Sequence, residues 1–276
     1  MVISIFTTGT NPVSRGDLFE QPMDCYRDLA DEVIYMDGSG DFKDGQIITY
    51  KDKTTEHFFK WPTEFSWPFI GQQFQRGYQA CTGDWCIRAD LDMLFHENDF
   101  KAIREACETH SDSPALSLWK YQFILPDRYN LKSRLVLAVN KAKFGDRIRF
   151  DSGGDLCQVS LDGKQLKPDD VPEARVPVYN YEKLTKSKEQ IMDDQGRMER
   201  AWKRHFGRYQ MSKDGTDEEA YKAWYYMQQG RFNKPSKQIK LSDHPKYIQE
   251  TIKNLTPKMF GWNGFGLIDG RVYEGY

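Results

Sequence analysis

The chain has 276 residues, 39% of them hydrophobic and 29% charged, enough to bury a core without disulfide staples. Its 39 Lys and Arg against 41 Asp and Glu leave a net charge of −2, which excludes a bulk polycation that holds nucleic acid by charge alone. The 5 cysteines lack any C-x-x-C spacing, so a disulfide framework or zinc ribbon is not expected and a reducing, cytoplasmic setting is. The N-terminal run Met1 to Thr8 lacks a basic lead and an h-region, so no signal peptide is predicted. No apolar stretch approaches the roughly 18 residues of a membrane span, so any membrane contact is expected to be peripheral.

Residues 2–6 form an apolar run that stops at Thr7-Thr8-Gly9, the pattern of a buried strand entering a loop. Residues 22–30 read as a helix, and Glu32 to Met36 as a second buried strand that stops at the turn formers Asp37-Gly38-Ser39-Gly40-Asp41. Strand, helix and strand in this order make the unit of a parallel α/β sheet. A helix over 66–81 leads to the strand Trp85 to Ala89 and then to Asp90-Leu91-Asp92. A further helix is predicted over 98–110, strands over 116–123 and 135–139, and a hairpin-like segment over 150–163. After about Tyr181 the texture is helical. Ser187-x-x-Gln190 and Thr216-x-x-Glu219 are helix-capping patterns, and Asp243-His244-Pro245 opens a third helix. The expected architecture is an α/β domain over 1–180 with a mainly parallel sheet flanked by helices. A helical C-terminal extension over 181–276 is expected to pack on it through Met198, Trp202, Tyr221 and Trp224.

The chemistry concentrates at Asp90 and Asp92. On a strand, positions i and i+2 share a face, so both carboxylates are expected on one side at the carboxyl edge of the sheet, where α/β folds bind ligands. Two hard oxygen ligands there suit Mg2+ or Mn2+. Seven basic residues lie in 128–149 against the single acid Asp146, a field suited to a phosphate or an anionic substrate, with Lys141 and Arg147 as candidate contacts.

The run from Ala80 to Glu97 resembles the metal-site strand of family 2-like glycosyltransferases of the GT-A fold. Gly83-Asp84-Trp85 match the entry to that strand, Asp92 the retained acid of its D-x-D, and His96-Glu97 the later pair. Asp31 to Asp41 resembles the second-strand motif of the same enzymes, and Val178 to Tyr181 and Asp243 to Pro245 resemble two of their later segments. Met93 stands where the family often has Glu, and Asn180 where it has a late histidine. The resemblance implies Thr7, Thr8 and Asp37, with Asp90, at the nucleotide, Asp92 and Asp90 at a divalent metal, and Asp151 or Asp155 as the base for an acceptor hydroxyl. It implies a nucleoside diphosphate sugar as donor, a glycan, lipid-linked or other hydroxyl as acceptor, inversion at the sugar, and no nucleic acid partner. Two other classes stay open: a nucleotidyltransferase of the same fold, and a binding module that kept the fold without the activity.

Overall fold

The computed structural model of the protein describes residues 1–151, 158–232 and 236–265. The chain begins with β1 (Ile3–Gly9), α1 (Glu20–Leu29) and β2 (Glu32–Asp37), and continues through the hairpin of β3 (Ile47–Lys51) and β4 (Thr54–Phe58) to α2 (Trp67–Ala80). Next come β5 (Trp85–Arg88), β6 (Met93–Leu94), α3 (Phe100–Thr109), and the long strands β7 (Ala115–Leu125) and β8 (Arg128–Asn140). One turn of helix, α4 (Lys141–Phe144), precedes a small three-stranded sheet of β9 (Ile148–Arg149), β10 (Ser160–Leu161) and β11 (Lys164–Gln165). The chain returns to the main sheet as β12 (Glu173–Asn180). The helices α5 (Lys188–Phe206) and α6 (Asp217–Phe232), the short β13 (Lys237–Gln238), and α7 (Lys246–Lys253) and α8 (Phe260–Asn263) complete the described elements.

The main sheet runs β3-β4-β2-β1-β5-β8-β7-β12-β6, with β13 beside β8. Its centre, β4-β2-β1-β5, is parallel throughout, and β7 and β12 are parallel to each other. The protein therefore has a mixed α/β fold built on a parallel sheet flanked by helices. The near-continuous apolar runs of β1 and β2 follow from this placement, since both faces of a central strand are covered. Ile3, Ile5, Val33 and Tyr35 share one core cluster with buried residues of α1, α3 and α7 on one side. Phe6, Ile34 and Met36 meet Trp67, Phe74 and Tyr78 of α2 on the other.

Two features depart from the expectation. The β3–β4 hairpin lies in a segment without a clear periodic signal, and β7 and β8 form one long antiparallel pair where two short strands were expected. In the helical region Ser187 and Gln190 make the reciprocal capping box. Trp202 packs edge-on against Trp67, with ring centroids 4.9 Å apart, while Trp224 is buried against Phe260. Gly196 is a point of close approach: a Cβ there would lie 1.8 Å from Asp217 Oδ1, the carboxylate that binds Arg200 at 2.7 Å.

Candidate functional site

The parallel strands β1, β2 and β5 all end on the same edge of the sheet, and the candidate residues gather there. β5 stops at Arg88, so Asp90-Leu91-Asp92 is a turn and not a strand end; the Met93 amide donates to the Asp90 carbonyl at 2.8 Å. The shared strand face expected for the two carboxylates is thus replaced by a turn that sends them to different partners. Tyr26 of α1 fixes that turn, its hydroxyl lying 2.6 Å from the Asp90 carbonyl and 2.8 Å from that of Met93.

Asp90 meets the Arg88 guanidinium, with Nη2 at 3.0 and 2.9 Å from its two carboxylate oxygens. Asp92 points inward. Its Oδ1 is sealed from solvent without a hydrogen-bond partner among the described residues, and so is Oδ1 of Asn180. The backbone brings these two residues side by side. β12 pairs with β6 so that Asn180 faces Met93, and the Tyr181 amide donates to the Asp92 carbonyl at 2.7 Å. Burial, reinforced by the Asp90 charge, pushes the Asp92 carboxyl up to about 7.

Asp90, Asp92 and Asn180 line one cavity of about 380 Å³, whose walls also carry Arg15, Lys120, Lys132, Glu182, Lys183 and Arg197. No group of three or more His, Cys, Asp or Glu able to hold a metal ion occurs among the described residues. The set is instead two carboxylates and one amide oxygen. Two buried oxygens left without a donor are costly unless something positive meets them. An all-oxygen set with few protein ligands fits a hard divalent ion such as Mg2+ or Mn2+, which keeps positions for water and phosphate oxygens.

The basic wall is organised by Asp194 of α5, which is 6% exposed. It binds Arg15 at 2.7 Å, Lys183 at 3.1 Å and Lys186 at 2.6 Å. Burial opposes its charge, but Lys183, Lys186 and Arg15 outweigh that and hold the carboxyl far below the usual range. Glu182 is similar: burial opposes ionisation, and Lys120, Lys183 and Lys132 overcome it. The β1–α1 loop is tied to the same region. Thr185 donates to the Gly16 carbonyl at 2.9 Å, Lys186 to that of Arg15 at 3.0 Å, and Gln190 to that of Ser14 at 3.1 Å.

The nucleoside candidates lie at the strand ends but not in the cavity wall. Thr7 and Thr8 fall within β1, so alternation sends them to opposite faces. The Thr7 hydroxyl is buried without a partner among the described residues, and Thr8 donates to the Met36 carbonyl at 2.9 Å. Asp37 ends β2 and accepts from the amide (2.7 Å) and the hydroxyl (3.1 Å) of Ser39, while burial raises its carboxyl above the usual range. Beside it Trp61 lies on Gly38, where a Cβ would come within 1.8 Å of Trp61 Cδ1. Trp61 faces the cavity of about 380 Å³ and also an adjoining one of about 490 Å³, which Gly38 and Ser39 line.

Of the two candidate bases, Asp155 lies outside the described residues. Asp151 is paired with Arg149 at 3.0 and 2.7 Å, and its backbone passes over Gly71 of α2, next to Ile70 of the cavity wall. Lys141 and Arg147 do not reach the cavity. Lys141 caps the carbonyls of Tyr78, Gln79 and Cys81 at the end of α2, and Arg147 pairs with Asp162 on the surface. His96 caps the turn at Asn98. His244 is buried between the Tyr181 hydroxyl at 2.7 Å and the Pro126 carbonyl at 2.8 Å, a packing role. Of the basic stretch over 128–149, Lys132 does line the cavity, while sequence reasoning missed Lys120, Glu182, Lys183 and Asp194. The only local signal was a polar run directly after an apolar strand.

No family model matches the chain, and no curated protein matches it. Among solved structures it is similar to TarS 1–349 of S. aureus in complex with UDP, at 11% identity and a TM-score of 0.43. That match covers 74% of this chain and 66%, just under two thirds, of the other. The same TarS segment in complex with UDP-GlcNAc matches at 10% identity and a TM-score of 0.43, covering 75% and 73%. A 4-diphosphocytidyl-2C-methyl-D-erythritol synthase from Anaerococcus prevotii matches at 13% identity and 0.33, covering 52% and 73%. Scores of this size mark a distant likeness, and the fold stands on its own strand order. No helix among the described residues is long and apolar enough to cross a membrane.

Proposed function

We propose that this chain is a GT-A-like glycosyltransferase that moves a sugar from a nucleoside diphosphate sugar to an acceptor hydroxyl, with Mn2+ or Mg2+ at Asp92. The observation that carries the reading is the pair of buried oxygens without a hydrogen-bond partner among the described residues, Asp92 Oδ1 and Asn180 Oδ1, in a cavity that also carries Arg15, Lys120, Lys132, Lys183 and Arg197. A bound divalent ion would supply Lewis-acid stabilisation of the departing diphosphate. The chain's own residues do the rest. Lys183, Arg15 and Arg197 bind phosphate oxygens, and Asp194 holds the first two in place. Asp90 and Arg88 brace the turn that aims Asp92.

The nucleoside end is proposed at Thr7, Thr8 and Asp37, with Trp61 as the flat surface beside it. Asp151 or Asp155 is proposed as the base that accepts the hydroxyl proton, with inversion at the sugar; the acceptor is a glycan, lipid-linked or other hydroxyl. The division into a transferase domain over 1–180 and an extension over 181–276 stands as part of the same proposal. In it the extension contributes Lys183, Asp194 and Arg197 to the cavity.

A thermal-shift plate of nucleoside diphosphates and their sugars, with and without Mn2+, tests this reading, because a ligand that binds only the native state raises apparent stability by mass action. Metal-dependent stabilisation by a nucleoside diphosphate sugar, lost in Asp92→Asn, is the expected result. Stabilisation only by nucleoside triphosphates would move the assignment to a nucleotidyltransferase. No metal-dependent response to any nucleotide would refute it.

A further inference from the structure

The cavity of about 490 Å³ next to the Asp92 cleft has a different chemistry from the cleft itself. Five cationic side chains, Arg15, Lys60, Arg197, Arg200 and Arg204, line it against two carboxylates, Glu64 and Asp193. Neither Asp90 nor Asp92 reaches it. Arg197, Arg200 and Arg204 recur at three- and four-residue spacing, so α5 presents them as one row. At 1.5 Å per residue that row spans roughly 10 Å, long enough for more than one anionic group.

Each arginine is held in place by the protein. Arg200 Nη1 binds the Gly215 carbonyl at 3.1 Å and Asp217 at 2.7 Å. Arg204 binds the Phe65 carbonyl at 3.2 Å through Nε and 2.6 Å through Nη2. The Arg197 guanidinium lies over the Phe65 ring, 5.7 Å from its centroid, with its nearest carboxylate, Asp193, at 3.8 Å. A guanidinium has five donors, so these anchors orient the row without exhausting it. Burial, and then the neighbouring Arg15 charge, lower the Arg197 proton affinity, as expected where cations crowd together. The opposite wall is the 60–65 loop, which Trp61 seats on Gly38.

We propose that the end of this groove formed by Lys60, Arg200 and Arg204, which shares Arg15 and Arg197 with the Asp92 cleft, is a second binding site for a ligand carrying two or more phosphate groups in a row. It needs no metal, because the arginines themselves neutralise the charge. Bidentate guanidinium–phosphate pairing is the chemistry that a pinned row of arginines favours over lysines. The groove adjoins the Asp92 cleft through Arg15, Trp61, Phe65 and Arg197, which line both. A phosphate-bearing molecule seated here would therefore reach the cleft with its free end. This goes beyond the donor reading and does not depend on it.

The test is calorimetric titration of the full chain with inorganic tripolyphosphate and with inorganic phosphate, in EDTA at low salt. Tripolyphosphate should bind at least tenfold more tightly than phosphate, with an affinity that falls steeply as salt rises. Lys60→Gln, at an exposed position, should weaken tripolyphosphate binding about three- to tenfold, and Arg200→Gln at least as much, with melting curves reporting whether each variant is folded. Lys143→Gln removes the same charge outside the groove and should change nothing. Asp92→Asn should leave tripolyphosphate binding intact while abolishing Mn2+-dependent nucleotide binding, so failure of the donor reading is visible separately. Absent tripolyphosphate binding, or equal losses in Lys60→Gln and Lys143→Gln, would overturn the proposal. So would binding to phosphatidylglycerol vesicles in place of tripolyphosphate, which would assign the charge to a membrane surface.

Discussion

Replacing Asp92 by Asn should make the metal-free protein more stable at neutral pH and unable to gain stability from Mn2+. Burial and the Asp90 charge raise the Asp92 carboxyl from 3.8 to about 7 in the folded state. The folded protein therefore binds this proton more tightly than the unfolded chain does. Its contribution to stability is full below pH 4 and is lost as pH rises through about 7. A shift of about three units at 1.36 kcal/mol each sets a ceiling near 4 kcal/mol on that loss, and because Asp92 is half-buried and lines the cleft the expected loss is about 2 kcal/mol. Asn has no charge to desolvate, so the variant should escape the loss. Mn2+ needs the ionised form, so its apparent affinity should fall about tenfold for each pH unit below 7. Melting curves of parent and variant at pH 5 and 8, each with and without Mn2+, measure all of this. The parent should lose stability from pH 5 to 8 and recover it with Mn2+; the variant should do neither. A parent indifferent to Mn2+ at pH 8, or a variant rescued by it, would refute the reasoning. Asp90→Asn should have the smaller effect on metal binding, because the Asp90 carboxylate is already met by Arg88.

Three further outcomes are expected. Gly38→Ala places a Cβ where Trp61 lies, so it should cost roughly 1–3 kcal/mol, shift the tryptophan emission and weaken ligand binding; unchanged emission would show that Trp61 does not rest there. Burial lowers His244 from 6.5 to about 4, so the folded state resists protonation and stability should fall by about 3 kcal/mol as pH drops from 6.5 to 4; urea titrations should show His244→Gln with a flatter profile over that window. Asp194→Asn leaves Arg15 and Lys186 with Asp17 alone and takes the ion-pair partner from Lys183, so it should cost about 2–4 kcal/mol by urea denaturation, less in high salt; a cost below 1 kcal/mol would mean that the cluster is already solvated.

The parallel centre of the sheet was legible because both faces of β1, β2 and β5 are covered, so their sequences are plain apolar runs. The β3–β4 hairpin was not, since its outer strand is half exposed and pairs on only one side. The place of Asp92 just after an apolar strand was legible, but the turn that parts it from Asp90 was not. Its partner Asn180 drew notice only as a departure from a resemblance, because pairing between residues nearly ninety positions apart leaves no local signal. For the same reason Lys183 and Asp194 were missed: their meaning lies in Arg15, far away in sequence. Lys141 and Arg147 misled because a run of basic residues does not say which carbonyl or carboxylate each one meets.

The ties between the β1–α1 loop and the segment before α5 carry a consequence for motion. Ser14, Arg15 and Gly16 offer their carbonyls to Gln190, Lys186 and Thr185, so the loop cannot lift from the cleft without breaking the entry to α5. The two segments should then behave as one cooperative unit in amide hydrogen exchange, opening together with a common free energy despite some 170 intervening residues. A ligand that grips Arg15 would slow exchange in the first turn of α5 as well, and tightening of one wall of the cleft would be felt by the other.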